Sequence, residues 1–434
     1  MKKWIAITLV FNLTCFSYAL VPEKDGETRT ATFSRNVKPD DVINIQAKYT
    51  DLVIEAWHKN EVEVTATVRF DGKLTNKMVE FLDNFQKHVE DNIDKSMGEL
   101  RINTNLDKPN KIQIGSKHVG VTVGFTDDEL KLDFVIRAPK VNKYEINHSY
   151  RDILLKGDFD DMKITQYSGE LHADYIDNVH FNMKYGSATL KEIGTAKMEI
   201  YEQEISVAIV DELEIDAKYA EVDIEEIQKM EMQSYESDFT FNNVNFISGS
   251  FKYGEIEIKD RLGNAEFECY EMDIESNSIE NIKFENSKYS KIKSDNIETI
   301  TYAESYEDET SIGNLGTFKS LNSKYGKHKI ESLNGSLEMH AYEDDIDIET
   351  VSTSVENIFI TGKYIDSSLG LSNESFSLKT NIKYGKVDFD ESDMEVKKYI
   401  KDGDRLELEI QSKNQVSSVI QITIEGYEVD VNIN

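Results

Sequence analysis

The chain has 434 residues, 39% of them hydrophobic and 10% aromatic, enough to build one large core or two ordinary ones and too much for a disordered chain. Its 82 acidic residues against 49 basic ones give a formal charge of −33, which excludes nucleic acid and anionic membrane surfaces as partners, because both would repel it.

Residues 1–19 stand apart. Lys2 and Lys3 precede the apolar run WIAITLVFNLTCF, and Ser17-Tyr18-Ala19 puts small residues at the two positions that signal peptidase reads. This is the pattern of an export signal that is removed on maturation, and the run is short for a bilayer span. An uncleaved anchor and lipidation of Cys15 are the rivals; Asn12-Leu13-Thr14 makes a poor lipobox. Later in the chain no eighteen apolar residues run together, so no stable membrane insertion is expected after cleavage. Cleavage removes two lysines and no acid, which takes the charge from −33 to −35. It also leaves Cys269 as the only thiol, so no internal disulfide can form and packing alone must hold the exported protein. Cys269 itself falls at a core position and is expected to be a small buried apolar residue.

Residues 20–138 read as a small N-terminal β domain. Strand-like stretches ATFSRNV, VINIQA, LVIEAW and EVEVTATVRF lead into a helical insertion over about 73–97, where Leu74, Met78, Phe81, Leu82, Phe85, Val89 and Ile93 share one face. Strands resume at ELRINTN, KIQIG, VGVTVGF and LKLDFVIRAP. A repeat array needs its open end covered, and this domain is expected to pack there as a cap.

Residues 139–390 repeat. Tyrosines fall at Tyr150, Tyr167, Tyr185, Tyr201, Tyr219, Tyr235, Tyr253, Tyr270, Tyr289, Tyr306, Tyr325, Tyr342, Tyr364 and Tyr384, 16 to 22 residues apart. Lys-Tyr-small words alternate with Tyr-Glu words, which superimposes a period near 35. Counting Tyr219 as zero, the apolar residues Val222, Ile224, Ile227, Met230 and Met232 sit at 3, 5, 8, 11 and 13. Alternation, a corner and alternation again predicts two short strands per unit, each with one buried face. A unit this small cannot enclose a core, but stacked copies can, each pairing its backbone with the coils above and below. All four prolines lie at or before 139, as expected if later N–H groups are committed to ladders.

The predicted fold is therefore all-β: a parallel β-solenoid of about 17–18 residues per two-strand unit behind the small β domain. Antiparallel meanders are the rival, though beyond Asp25-Gly26 the Asn-Gly and Asp-Gly hairpin turns begin only at 71, 334 and 402. Shared apolar columns favour a coil of 17–18 residues over one of about 35. Each tyrosine is expected at a corner, its ring stacked on the next coil's tyrosine, with the small residue after it allowing the turn. The functional alternative is an aromatic stripe that grips sugar rings. Residues 391–434, with RLELEIQ, SVIQITI and YEVDVNI, read as closing coils and a cap.

The order of an export signal, LVIEAWHKNEVEVTATV, a helical insertion, FVIRAPKVNKYEINHSYRDILLKG and serial Tyr-Gly strand words resembles the bacterial “putative adhesin” proteins of the DUF4097 and DUF2807 type. The resemblance covers most of the mature chain and implies a β-helix and surface attachment. It carries no ligand or catalytic residue across, and Tyr-Gly, Tyr-Ala and Tyr-Glu stand here where that family often writes Ser-Gly.

Catalytic chemistry finds no purchase in the sequence. His58, His88, His118, His148, His172, His180, His328 and His340 form no HExxH and no paired spacing, and each is expected at the surface. GxSxG, P-loop and GxGxxG patterns are missing. The acidic runs Asp158-Phe159-Asp160-Asp161 and Glu343-Asp344-Asp345 lack the glycine turn and ligand spacing of a calcium loop and are expected to be a solvated face. A polysaccharide-cleaving β-helix would need basic groups beside its acids, and between 140 and 434 Arg151, Arg261 and Arg405 are the only arginines. No catalytic, cofactor-binding or metal residue is assigned. Two functions remain: an exported adhesin-like module that binds a surface protein, a glycan or another copy, and a periplasmic or envelope structural protein without an external ligand. Periplasm, outer membrane and cell surface are all open as locations.

Overall fold

The computed structural model describes residues 27–71, 76–106, 112–114, 121–123, 130–371, 375–392, 394–413 and 419–434. The segment expected to be an export signal, residues 1–19, lies outside them. The described chain is all-β apart from two short helices, Asn76–Asp83 and Phe85–Glu90.

Backbone pairing decides the coil length. Glu221–Tyr235 pairs in parallel with residues 204–218 on one side and 238–252 on the other, each offset by 17 residues. Farther on the offset is 18, as in Lys291↔Glu309 and Glu309↔Lys327. One unit is therefore one coil, and the period near 35 has another origin, described below. Register breaks at Glu225 and Gln228 divide the coil into three sides rather than two strands. Val222 and Ile224 point inward from the first side, Ile227 from a two-residue middle side, and Met230 and Met232 from the third; all five are buried. Side-chain amides link successive coils near these bends: Asn245 Nδ2 donates to Gln228 Oε1 at 3.1 Å at the second break, and Asn281 and Asn314 donate to Asn264 and Asn296 in columns beside the breaks.

The boundary expected at 139 does not separate two sheets. Val42–Lys48 pairs in parallel with Lys143–Ser149, and Asp51–Trp57 pairs with both Ile153–Lys156 and Leu130–Pro139. Residues 42–57 are thus a coil of the stack, continuous with the repeats. The antiparallel additions beyond it do the capping: Glu27–Asn36 on Glu61–Phe70, and Glu61–Phe70 on Leu130–Pro139. The helical insertion is shorter than its apolar periodicity suggests. It breaks at Asn84, and Ile93 opens the strand Ile93–Ser96, which turns at Met97 and Gly98 onto Glu99–Asn103. Met78, Phe81, Leu82, Phe85, Val89 and Ile93 are buried as one face, while Leu74 lies outside the described residues. Ile112–Ile114 and Val121–Val123 form a separate two-stranded ribbon.

The other end is also rearranged. Met394–Asp402 and Arg405–Ser412 form an antiparallel hairpin on Phe376–Lys383, as a cap should. The last strand, Ile420–Ile433, does not follow it outward. It returns into the stack and pairs in parallel with Asn357–Leu369 on one side and with Phe376–Lys383 and Lys386–Asp388 on the other. The coil at 376–388 is therefore separated from the coil at 357–369 by the C-terminus of the chain.

Candidate functional site: the tyrosine edge

All fourteen repeat tyrosines come together in one file, and the structure adds two more. Tyr49 precedes Tyr150, and Tyr427 lies between Tyr364 and Tyr384. Fifteen consecutive ring contacts result, with centroids 5.0–5.8 Å apart. Tyr427 was visible in YEVDVNI, but its place in the file depends on a long-range pairing that spacing along the chain cannot show.

The Lys-Tyr and Tyr-Glu words occupy the same two corner positions. Tyr235 stands in register with Lys218 and Lys252, Tyr306 with Lys288 and Lys324, and Tyr427 with Lys363 and Lys383. From Lys184 onward the first corner position thus alternates Lys and Tyr up the stack; in earlier coils Ser149 holds the first position and Ser168 the second. Over the same coils from Lys184 the second position alternates Tyr and Glu, and it is always left-handed: Tyr219, Glu236, Tyr253, Glu271 and Tyr289 have φ of 47–59°. A non-glycine residue in this conformation costs ~1–2 kcal/mol. The strain therefore sits in the tyrosine of one word and the glutamate of the other, not in the small residue that follows.

That alternation is the source of the longer period, and it sets the ring geometry. Tyrosines from different corner positions meet edge to face, at 65–79° between planes. Tyr49 and Tyr150 follow Lys48 and Ser149, which are register partners, so both rings come from the second position and stack at 11°. The small residue has a different task from the one expected. At Gly254 a Cβ would be driven into the backbone carbonyl of Ser237 in the preceding coil, so glycine there provides clearance between coils.

The file is open to solvent. Ten of the sixteen rings are 36–48% exposed, including Tyr185, Tyr219, Tyr289 and Tyr325. Interaction with the adjacent Glu202 and Glu236 carboxylates raises the Tyr201 and Tyr235 phenols above their usual pKa, and Asp404 does the same to Tyr384. Lys48 lies over the rings of Tyr49 and Tyr150 at 4.9 and 5.5 Å, and Lys383 lies over Tyr384 at 4.9 Å. Every interior ring meets a tyrosine on either side, so ring contact is spent along the rod rather than outward. A ligand at this edge would meet hydroxyls, ring edges, ammonium groups and carboxylates.

Other candidates are placed as follows. A cleft of about 420 Å³ at the first coils is lined by Trp57, His58, Asn60, Lys140 and Asp158, and Trp57 Nε1 is fixed by donating to the Glu61 carbonyl at 2.7 Å. His148 and His328 depart from the expected surface position. Both are buried, and His148 Nε2 lies 2.8 Å from the Thr50 carbonyl. His118 lies outside the described residues. Cys269 is buried, and burial pushes its thiol far above the usual range. Asp344, in one of the acidic runs, is buried and accepts the Gly326 N–H at 3.1 Å, so it is structural rather than part of a solvated face. Among the described residues no group of three or more His, Cys, Asp or Glu is placed to hold a metal ion. No described helix is long and apolar enough to cross a membrane.

Acids also align along the outer faces. Glu204, Glu221 and Asp238 share one ladder column without an intervening base. Burial and the neighbouring Asp238, Glu275 and Asp273 raise Glu255, and burial raises Asp308 and Asp133. A carboxyl with a folded-state pKa above its unfolded value binds its proton more readily when folded, so these groups add stability as pH falls toward the ordinary carboxylate range. Asp41 and Glu55 are held low by Lys95 and Arg137, and their contribution is lost at still lower pH. Thermal unfolding followed against pH is expected to show a maximum on the acidic side of neutrality. A melting temperature falling steadily from pH 8 to pH 5 would contradict this.

No family model matches the chain, and no curated protein matches it. The solved structures with a likeness to it include a “putative cell adhesion protein” from Clostridium sporogenes, at 9% identity over 93% of this chain and 99% of that one, with a TM-score of 0.16. Another is a “putative lipid binding protein” from Parabacteroides distasonis, at 11% identity over 94% and 97%, with a TM-score of 0.17. At such scores neither lends its function to this chain, and the resemblance to the DUF4097 and DUF2807 proteins rests on the sequence words alone.

Proposed function

We propose that the mature chain is an exported, non-enzymatic β-solenoid of adhesin-like type, and that its tyrosine edge is the contact surface. The observation that carries this reading is the continuous file of sixteen rings along one exposed edge. Tyrosine offers area for contact at low conformational cost together with a hydroxyl, and it is enriched where proteins meet partners. A surface one ring wide and many coils long suits an extended partner: a cell-surface protein, a glycan chain or a second copy. A specific observation favours the second reading, an envelope structural protein. The rings contact one another, and ~0.5–1.5 kcal/mol per aromatic pair is a sufficient reason for a ladder.

Two measurements separate these readings. Protease shaving of intact cells, with a periplasmic protein as control, should remove the chain if it lies outside; full protection until the envelope is opened sinks the adhesin reading. Replacing Tyr185, Tyr219 and Tyr253 together with Phe keeps the rings and removes three hydroxyls. It is expected to lower binding of the purified chain to cells several-fold at an unchanged melting temperature. Equal binding by the variant would favour the structural role.

A further inference from the structure

The corner after each Tyr-Glu word recurs with small differences, and one of those differences marks a site. In the coil at 305–308, Asp308 Oδ1 accepts the N–H of Ser290 at 2.9 Å, while Ser305 Oγ donates to Asp308 Oδ2 at 2.7 Å. Two coils later Asp344 Oδ1 accepts the N–H of Gly326 in the same way. Ala341 stands where Ser305 stood, so Asp344 Oδ2 has no protein donor.

Two further buried atoms without a protein partner face the same place, His328 Nε2 and Ser323 Oγ. The side chains of His328 and Asp344 are wholly shielded from solvent, and Ser323 is 1% exposed. His328 Nε2 lies 3.8 Å from Asp344 Oδ2, beyond a hydrogen bond. Gly326 lies at the centre: a Cβ built on it would be 2.8 Å from His328 Nε2, 3.0 Å from Ser323 Oγ and 3.3 Å from Asp344 Oδ2. Glycine keeps a side chain out of the space on which the three atoms converge.

We propose that His328, Ser323 and Asp344 form a binding site for one buried water molecule over Gly326. The donor and acceptor count closes. His328 Nδ1 lies 3.1 Å from Thr310 Oγ1, which lies 2.9 Å from the Tyr302 hydroxyl. With the Nδ1–H donated to Thr310, Nε2 is an acceptor. The water donates its two hydrogens to His328 Nε2 and Asp344 Oδ2 and accepts the Ser323 O–H. Three bonds are the usual number for a buried water, and a polar gap of this width is one that a bridging water spans. The network then runs from Tyr302 through Thr310, His328 and the water to Asp344, and ties successive coils together through the core. Cys269 and Asp308, which border Tyr302 electrostatically, are the other titratable groups beside it.

The test is a crystal structure of the chain, with an Ala341→Ser variant melted beside the parent. The expected result is a solvent peak within hydrogen-bond distance of all three atoms and a melting temperature that Ala341→Ser leaves nearly unchanged, because Asp344 Oδ2 is already served. Direct contact between His328 Nε2 and Asp344 Oδ2 with no solvent peak would overturn the proposal. So would a clear rise in melting temperature in Ala341→Ser, which would show that the serine had supplied a missing donor.

Discussion

Deleting residues 419–434 is expected to release the coil at 376–388 and the hairpin at 394–412 while the coils before 340 stay folded. The last strand buries Ile420, Ile422, Ile424, Val429, Val431 and Ile433. At ~1.5–3 kcal/mol for each fully buried side chain, about 9–18 kcal/mol of gross burial is lost, comparable to or above the stability of an ordinary domain. The deletion also strips parallel partners from the strands on both sides. Repeat arrays confine such damage to neighbouring coils. Hydrogen exchange by mass spectrometry should show residues 376–412 losing protection and residues 221–324 keeping it. Continued protection of 376–412 would mean that this coil docks directly on 357–369, which would bring Lys363 and Lys383 to one-coil spacing.

Gly254→Ala is expected to be strongly destabilising for a single added methyl at the tyrosine edge, at about 3 kcal/mol or more. Gly254 has φ of 147°, outside the range that L side chains adopt easily, and its added Cβ would be driven into the Ser237 carbonyl. Parallel pairing fixes both backbones, so neither can yield without breaking the ladder on its other side. The matching position in the coil two earlier is Ala220, whose φ is not positive. Ala220→Gly should therefore cost only about 1 kcal/mol. Chemical denaturation of both variants checks the contrast, and equal small losses would show that the coils are not packed at this spacing.

The repeat was legible because a solenoid writes its core into local sequence. The inward positions held by Val222, Ile224, Ile227, Met230 and Met232 are apolar in most units, and these five are buried as their spacing implies. What stayed hidden depends on contacts remote in sequence. Nothing near Ile420–Ile433 says that it enters the stack between two earlier coils. A clue was present in the words themselves. Lys363-Tyr364 and Lys383-Tyr384 are both Lys-Tyr words, and alternation asks for a Tyr-Glu word between them, which Tyr427-Glu428 provides. The N-terminal strands were recognised as strands, but VINIQAK and DLVIEAW carry a helical insertion and antiparallel neighbours after them, which hid their membership of the parallel stack. His328 stands three residues after Tyr325, the inward position that Val222 holds after Tyr219, so its burial follows from the spacing, whereas Asp344 is buried at a corner where it accepts the Gly326 N–H of the neighbouring coil.

The central claim is one parallel coil for every 17–18 residues, and disulfide trapping tests it directly. In a Cys269→Ser background, one variant carries cysteines at Asp223 and Thr240, register partners in adjacent coils, and a second carries them at Asp223 and Glu257, two coils apart. Adjacent strands lie ~4.8 Å apart, within the Cα separation that a disulfide spans, whereas two coils come to about 9.6 Å, beyond it. The account predicts rapid oxidation to an intramolecular disulfide at 223–240 and none at 223–257. The reverse result would mean a coil of about 35 residues and would contradict it.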